Sequence, residues 1–210
     1  MALKSFVKVS GVNNLSDARY CAGMGVDVLG FSFEPDDPNY LDPVKYTAIT
    51  EWLAGSAFAA EFRRHHAEEI REILEHYPPV DYLQIERPEY LPALQLLQIP
   101  VILRIDAKEL EEVGKVREKM RRAAGDVAFF LFDTESQSLP DNALERVMEM
   151  AREFPVLLGF GLNEENVDLL LEESHLKGIA LRGGDEIKPG YKDFDGLADI
   201  LEAIEIDDLE

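Results

Sequence analysis

A repeated beat constrains this chain more than any other feature: eight short apolar runs, each followed by a stretch with helical patterning, fill its 210 residues almost end to end. The runs are Phe6–Val9, Val28–Phe33, Ala57–Phe62, Tyr82–Ile85, Val101–Ile105, Ala128–Phe132, Val156–Leu158 and Ile179–Leu181. Each is too short for a helix and rich in residues that suit strands buried on both faces. The stretches between them carry helix start signals, among them Asp42 before Pro43 and Asn163 before Glu164 and Glu165. A capping side chain, a first-turn proline and early acids are what the free N–H groups of a helix N-terminus favour. The fourth helix, around Tyr90–Leu97, is the least regular, because Pro88 and Pro92 crowd its start. Strand–helix–strand alternation forces parallel pairing through right-handed crossovers, and eight such units can close on themselves. The expected fold is therefore α/β, a single-domain (β/α)8 TIM barrel over residues 1–204 with an acidic C-terminal tail at 205–210.

Charge excludes several partners. The 42 acidic and 21 basic side chains leave a net charge of −21, a field that repels polyanions, so neither nucleic acid nor an anionic membrane is an expected partner. No apolar run reaches the roughly 18 residues of a membrane span, and the N-terminus moves straight into a strand; a cytoplasmic location is expected. Cys21 is the single cysteine, so it reads as a small core residue, and neither a disulfide nor a cysteine metal motif is expected.

In such a barrel, chemistry gathers at the C-terminal ends of the strands and in the loops just after them. Those positions hold Ser10, Gly11 and Asn13 after the first run, the segment Glu34–Tyr40 after the second and Glu61 at the end of the third. Beyond these come Gln84 and Glu86, Arg104 and Asp106, Asp133 and Thr134, Gly159–Gly161, and finally Arg182, Gly183 and Gly184.

Several of these residues sit in segments that resemble the phosphoribosylanthranilate isomerase family. Val7–Ala18 is similar to that family's K-x-C-G-x-T-x-x-x-D-A opening, and Gly25–Phe33 to its G-A-D-x-x-G-F-x-F second strand. Leu131–Thr134 resembles its L-L-D-T, Gly161–Val167 its G-L-x-x-x-N-V, and Glu186–Asp193 its E-x-x-P-G-x-K-D. These matches run in order over nearly the whole chain. The resemblance implies an Amadori rearrangement in tryptophan biosynthesis: the ribose of N-(5-phosphoribosyl)anthranilate opens, and a proton moves to give the aminodeoxyribulose phosphate. It also implies an aspartic acid after strand six that protonates the ring oxygen, matched by Asp133. A cysteine after strand one removes the C2 proton, and Ser10 stands in its place.

That replacement matters because a thiol of pKa about 8.5 supplies thiolate near neutral pH. A serine hydroxyl needs an adjacent base. None of the four histidines falls at a strand end: His65 and His66 lie just past strand three, His76 closes a helix and His175 precedes strand eight. Lys8, two residues before Ser10 and able to share its face, is the only local candidate activator.

Other family features are altered too. Asn39 replaces the arginine before the second loop's tyrosine, Glu135–Pro140 replaces a glycine-rich stretch ending in F-D-W, and Gln84-Ile85-Glu86-Arg87 replaces Q-L-H-G. At the phosphate end, S-G-G-L becomes Gly159-Phe160-Gly161-Leu162, and S-S-G becomes Arg182-Gly183-Gly184, which keeps flexible amides and adds a guanidinium. The candidate catalytic residues are Asp133 and Ser10; the candidate substrate or phosphate contacts are Lys8, Gly161, Arg182, Gly183, Gly184, Arg104 and Glu86. Neither a metal nor another cofactor is expected.

The charged strand ends admit two readings. Arg104 and Arg182 either hold an anionic ligand while Asp133 and Glu86 handle protons, or they pair with Glu61 and Glu86 and plug the cavity, since buried carboxylates require partners. Three functions follow. The first is a family barrel with lost or impaired isomerase activity that binds a sugar phosphate or other small anion. The second is an active isomerase using Ser10 and Asp133, and the third a non-catalytic scaffold. Monomer and homodimer both remain open.

Overall fold

The computed structural model describes residues 2–136, 138–183, 186–188, 191–192 and 195–206. Eight parallel strands close into a barrel in chain order: β1 (Phe6–Ser10), β2 (Val28–Ser32), β3 (Ala57–Glu61), β4 (Tyr82–Ile85), β5 (Val101–Asp106), β6 (Phe129–Asp133), β7 (Val156–Leu158) and β8 (Gly178–Arg182). The pairing of β1 with β8, from Phe6 opposite Gly178 to Ser10 opposite Arg182, completes the circle. Each strand lies where an apolar run is expected, with ends shifted by no more than a residue. The single-domain (β/α)8 TIM barrel is the fold of this chain.

Helices α1 (Leu15–Gly23), α2 (Pro43–Thr50), α3 (Ala67–Leu74), α4 (Leu91–Leu94), α5 (Val113–Ala123), α6 (Ala143–Ala151), α7 (Val167–Glu173) and α8 (Asp195–Ala203) follow the strands in turn. Asp42 caps α2 by accepting from Val44 N and Lys45 N, with Pro43 in the first turn. At α7 the start differs from expectation: Asn163 accepts from Glu165 N and Asn166 N in a preceding turn, and the helix begins only at Val167. The fourth helix is a single α-turn between 3-10 turns at Pro88–Tyr90 and Gln95–Leu97, as its prolines foretell. A hairpin of β9 (Glu186–Lys188) and β10 (Tyr191–Lys192) follows β8.

Two cores result. The larger fills the layer between strands and helices and includes Cys21, fully buried as expected of a small apolar residue. Inside the barrel, Ile102, Leu131, Leu157 and Ala180 form a second cluster. Phe6, Tyr82 and Phe129 pack against it from the N-terminal ends of their strands, with Phe6 and Phe129 ring centroids 4.8 Å apart. Inward-facing positions recur with period two, and the interior turns polar two residues further along β1 and β4, at Lys8 and Gln84, and four residues further along β6, at Asp133. This polar upper layer is where the site lies.

Candidate active site

Ser10 ends β1 and points into a buried polar cluster. Lys8, 0 % exposed, donates from Nζ to Ser10 Oγ at 2.6 Å and also ion-pairs with Glu61 Oε1. Glu61 Oε2 accepts from Gly11 N at 3.2 Å. Burial works to push the Glu61 carboxyl up, but the adjacent Lys8 and hydrogen bonds from Lys8 and Ser10 outweigh it and hold the group below its ordinary range. Lys8 on β1 and Glu61 on β3 meet across the strand between them because that strand carries Gly30: a Cβ there would stand 2.0 Å from Glu61 Oε1 and 2.8 Å from Lys8 Nζ. Lys8 thus reaches Ser10, while its ionic partner is Glu61.

Asp133 ends β6 and is buried. Its Oδ1 accepts from Thr134 N at 2.7 Å, and its Oδ2 accepts from Arg104 Nε at 3.4 Å and from Arg182 Nη2. Arg104, whose side chain is 4 % exposed, donates from Nη1 to Glu86 Oε1 at 2.5 Å. Glu86 Oε1 lies 3.8 Å from Arg63 Nε, Arg63 Nη1 bonds Glu135 Oε1, and Glu135 Oε1 accepts from Arg182 Nη1 at 3.2 Å. The chain of contacts closes on itself: Arg63, Glu86, Arg104, Asp133, Arg182 and Glu135 alternate in sign around a ring with no net formal charge.

Exposure is graded around this ring. Arg104 and Asp133 lie deepest, Arg63 and Glu86 are intermediate, Arg182 is more exposed, and Glu135 is outermost at 58 %. Hydrogen bonding from Arg63, with further pull from Arg182, offsets partial burial and holds the Glu135 carboxyl down at about 2. Burial disfavours charge on Arg63 and Arg182, but Glu135 more than compensates at Arg63, as Asp133 does at Arg182.

The structure pairs Arg104 with Glu86, one of the two acids expected to plug the cavity. It does not pair Arg182 with Glu61, because Lys8 bonds Glu61 from within the barrel while Arg182 turns to Asp133 and Glu135. Asp106 stays out of the ring; its side chain accepts from Lys108 N and caps the 3-10 helix Ala107–Glu112. Gln84, buried on β4, leaves Oε1 without a hydrogen bond among the described residues.

The sequence reading assigned no role to Arg63 and treated Glu135 only as part of a changed loop. Each lies two residues past a strand end, a spacing that could have flagged both. Arg63 is placed by Glu34, whose buried carboxylate accepts from Arg63 N at 2.7 Å, Arg64 N at 2.5 Å and His65 N at 3.3 Å.

Asn39 bonds Asn13 at 3.0 Å, tying the loops after β1 and β2 together over Gly11. At the other side of the mouth, Gly161 adopts φ +70, and its carbonyl accepts from Asn166 Nδ2 at 2.8 Å. Phe160 packs into the outer core. Gly183 follows β8 directly, and Gly184 lies outside the described residues. Among the described residues no three His, Cys, Asp or Glu side chains are grouped so that they could hold a metal ion. No described helix is long and apolar enough to cross a membrane.

Comparison with known proteins gives a consistent picture. The family model described as N-(5'phosphoribosyl)anthranilate (PRA) isomerase matches residues 7–203. Among curated relatives, the N-(5'-phosphoribosyl)anthranilate isomerase of Chloroherpeton thalassium is 30% identical over 205 residues, covering 91% of this chain and 91% of the relative. That of Syntrophus aciditrophicus is 26% identical over 205 residues, covering 94% of this chain and 86% of the relative. Among solved structures, phosphoribosyl anthranilate isomerase from Thermotoga maritima superposes with a TM-score of 0.75 at 21% identity, covering 95% of this chain and 98% of that one.

Proposed function

This chain belongs to the N-(5'-phosphoribosyl)anthranilate isomerase family, and from that premise we propose that its isomerase activity is lost or strongly impaired, while the barrel mouth serves a sugar phosphate or another small anion. One observation carries the reading. Both positions that match the family's acid–base pair are engaged by the protein itself: Ser10 between Lys8 and Glu61, and Asp133 between Arg104 and Arg182.

Removing the C2 proton requires a base able to hold it. Among the described residues the carboxylate beside the Ser10 hydroxyl is Glu61, and a carboxylate held below its ordinary range is a weak proton acceptor. Lys8 donates to Ser10 rather than accepting from it, so it positions the hydroxyl without deprotonating it. Proton donation by Asp133 requires an O–H aimed at substrate, yet both carboxyl oxygens already accept hydrogen bonds from the chain. Positioned acid–base groups contribute about 10²–10⁴-fold each, so losing the base alone reduces turnover to a small residue. On the binding side, Arg104 and Arg182 supply guanidinium groups, Glu86 balances Arg104, and Gly161, Gly183 and Gly184 are the candidate backbone contacts for an oxyanion.

A second reading, an active isomerase of tryptophan biosynthesis, is favoured by the 2.6 Å contact that couples Ser10 to an amine and by Asp133 at the end of β6. A comparison of wild type, Asp133→Asn and Ser10→Cys, each followed by the loss of phosphoribosylanthranilate fluorescence, separates the two. Under the proposal all three turn over slowly, and Asp133→Asn changes little. Wild-type turnover that vanishes in Asp133→Asn establishes the second reading instead.

A further inference from the structure

We propose that Arg63 and Arg182 form an oxyanion-binding site across the barrel mouth, and that the chain occupies it with its own Glu135, which a ligand carboxylate or phosphate displaces. The inference rests on the small-anion reading above and names the groups that would hold the anion.

Three features support it. A single oxygen, Glu135 Oε1, bonds Arg63 Nη1 and Arg182 Nη1 together. Two guanidinium groups converging on one carboxylate oxygen make the arrangement that carboxylates and phosphates select, with several N–H donors on a planar fork. The two arginines come from distant elements, the loop after β3 and the end of β8, so their convergence is fixed by the barrel and not by a flexible segment. The placement is firm on both sides: Glu34 holds the backbone of Arg63, and Asp133 holds the other arm of Arg182.

Glu135 is the member of the ring that can leave. It is the most exposed of the six, whereas Arg63 and Arg182 are 27% and 35% exposed. It belongs to the loop between β6 and α6, so its withdrawal breaks no strand pairing. Once it moves into water, Arg63, Arg104 and Arg182 face only Glu86 and Asp133 within the ring, and the excess positive charge is compensated when another anion enters. An incoming carboxylate or phosphate replaces Glu135 one for one and leaves the deeper pairs, Arg104 with Asp133 and with Glu86, intact.

A site that spends most of its time self-occupied binds its ligand with an affinity reduced by the unoccupied fraction. Glu135→Gln keeps the side chain's shape and removes its charge. Titrating wild type, Glu135→Gln, Glu135→Gln/Arg63→Gln and Glu135→Gln/Arg182→Gln with inorganic phosphate, and separately with malonate, by isothermal calorimetry at constant ionic strength tests the proposal. Glu135→Gln is expected to bind at least one probe about tenfold or more tightly than wild type. Each double variant loses that gain, with its thermal unfolding confirming that it is folded. The two probes distinguish a phosphate-preferring from a carboxylate-preferring site.

Equal affinity in wild type and Glu135→Gln overturns the inference, as does a gain that survives Arg63→Gln, which would place the anion elsewhere at the mouth. Because the readout is equilibrium binding, its failure is distinct from that of the impaired-isomerase reading, which turnover alone decides.

Discussion

Lys8 and Glu61 face each other in the interior of the barrel, where both are buried. A buried ion pair contributes little net stability against a well-packed apolar pair, but removing one partner leaves an uncompensated charge and costs about 3–5 kcal/mol. Glu61→Gln is therefore expected to destabilise the protein by about that amount in urea unfolding, whereas Lys8→Met/Glu61→Leu recovers most of the loss. A double variant no more stable than Glu61→Gln would show that the pair is not the source. The same residue sets an acid limit. Its folded-state pKa lies below the unfolded value of about 4.3, so its contribution is present above that pH and is lost as pH falls through the folded value. Wild type should lose stability below about pH 4 more steeply than the apolar double variant, measured by thermal unfolding at stepped pH. Ser10→Cys restores a thiol but leaves Asn39, the changed loop after β6 and the arginines around Asp133, so kcat/KM is expected to remain far below that of an intact family member. Full recovery would show that the base alone was missing.

At the scale of elements, short continuous apolar runs made the strands legible, and cap chemistry located one of the two helix starts named from it. Asp42 with Pro43 starts α2 where those two residues predict, because the cap bonds are local. Asn163 misled because an Asx-type turn and a helix cap use the same side chain–backbone bonds, and only the chain beyond decides between them. The strand-end charges were legible as a set but not as pairs. Which arginine meets which acid depends on side-chain reach across strands far apart in sequence, and the meeting of Lys8 with Glu61 depends on the missing side chain at Gly30. Closure of the barrel hangs on a similar gap. A Cβ at Gly178 would stand 1.9 Å from the Phe6 carbonyl oxygen on the adjoining strand, and backbone cannot yield as a side chain can. Gly178→Ala is expected to cost about 1–3 kcal/mol or more in urea unfolding and to speed amide exchange along β1 and β8 first. A variant as stable as wild type would contradict the tight β1–β8 contact.

The whole molecule keeps its family's barrel, and charged side chains pair with one another across its mouth. The eight-strand closure is the fold it shares with solved family members, and within it lie two cores and Asp133 at the end of β6. The interior layer beneath the mouth carries Lys8 and Glu61, and above it three arginines and three acids satisfy one another. A (β/α)8 barrel tolerates this because its stability resides in the strand–helix layer and the lower interior, whereas its chemistry resides in the upper strand ends and loops. The central claim is that this pairing has removed the family's reaction. It is tested most directly by kcat/KM for phosphoribosylanthranilate, with purified wild-type protein and indole-glycerol-phosphate synthase present to consume product. The account predicts a rate indistinguishable from a no-enzyme control or lowered by at least about 10²-fold from an intact family member assayed in parallel. A kcat/KM matching that member would contradict it and return Ser10 and Asp133 to catalysis.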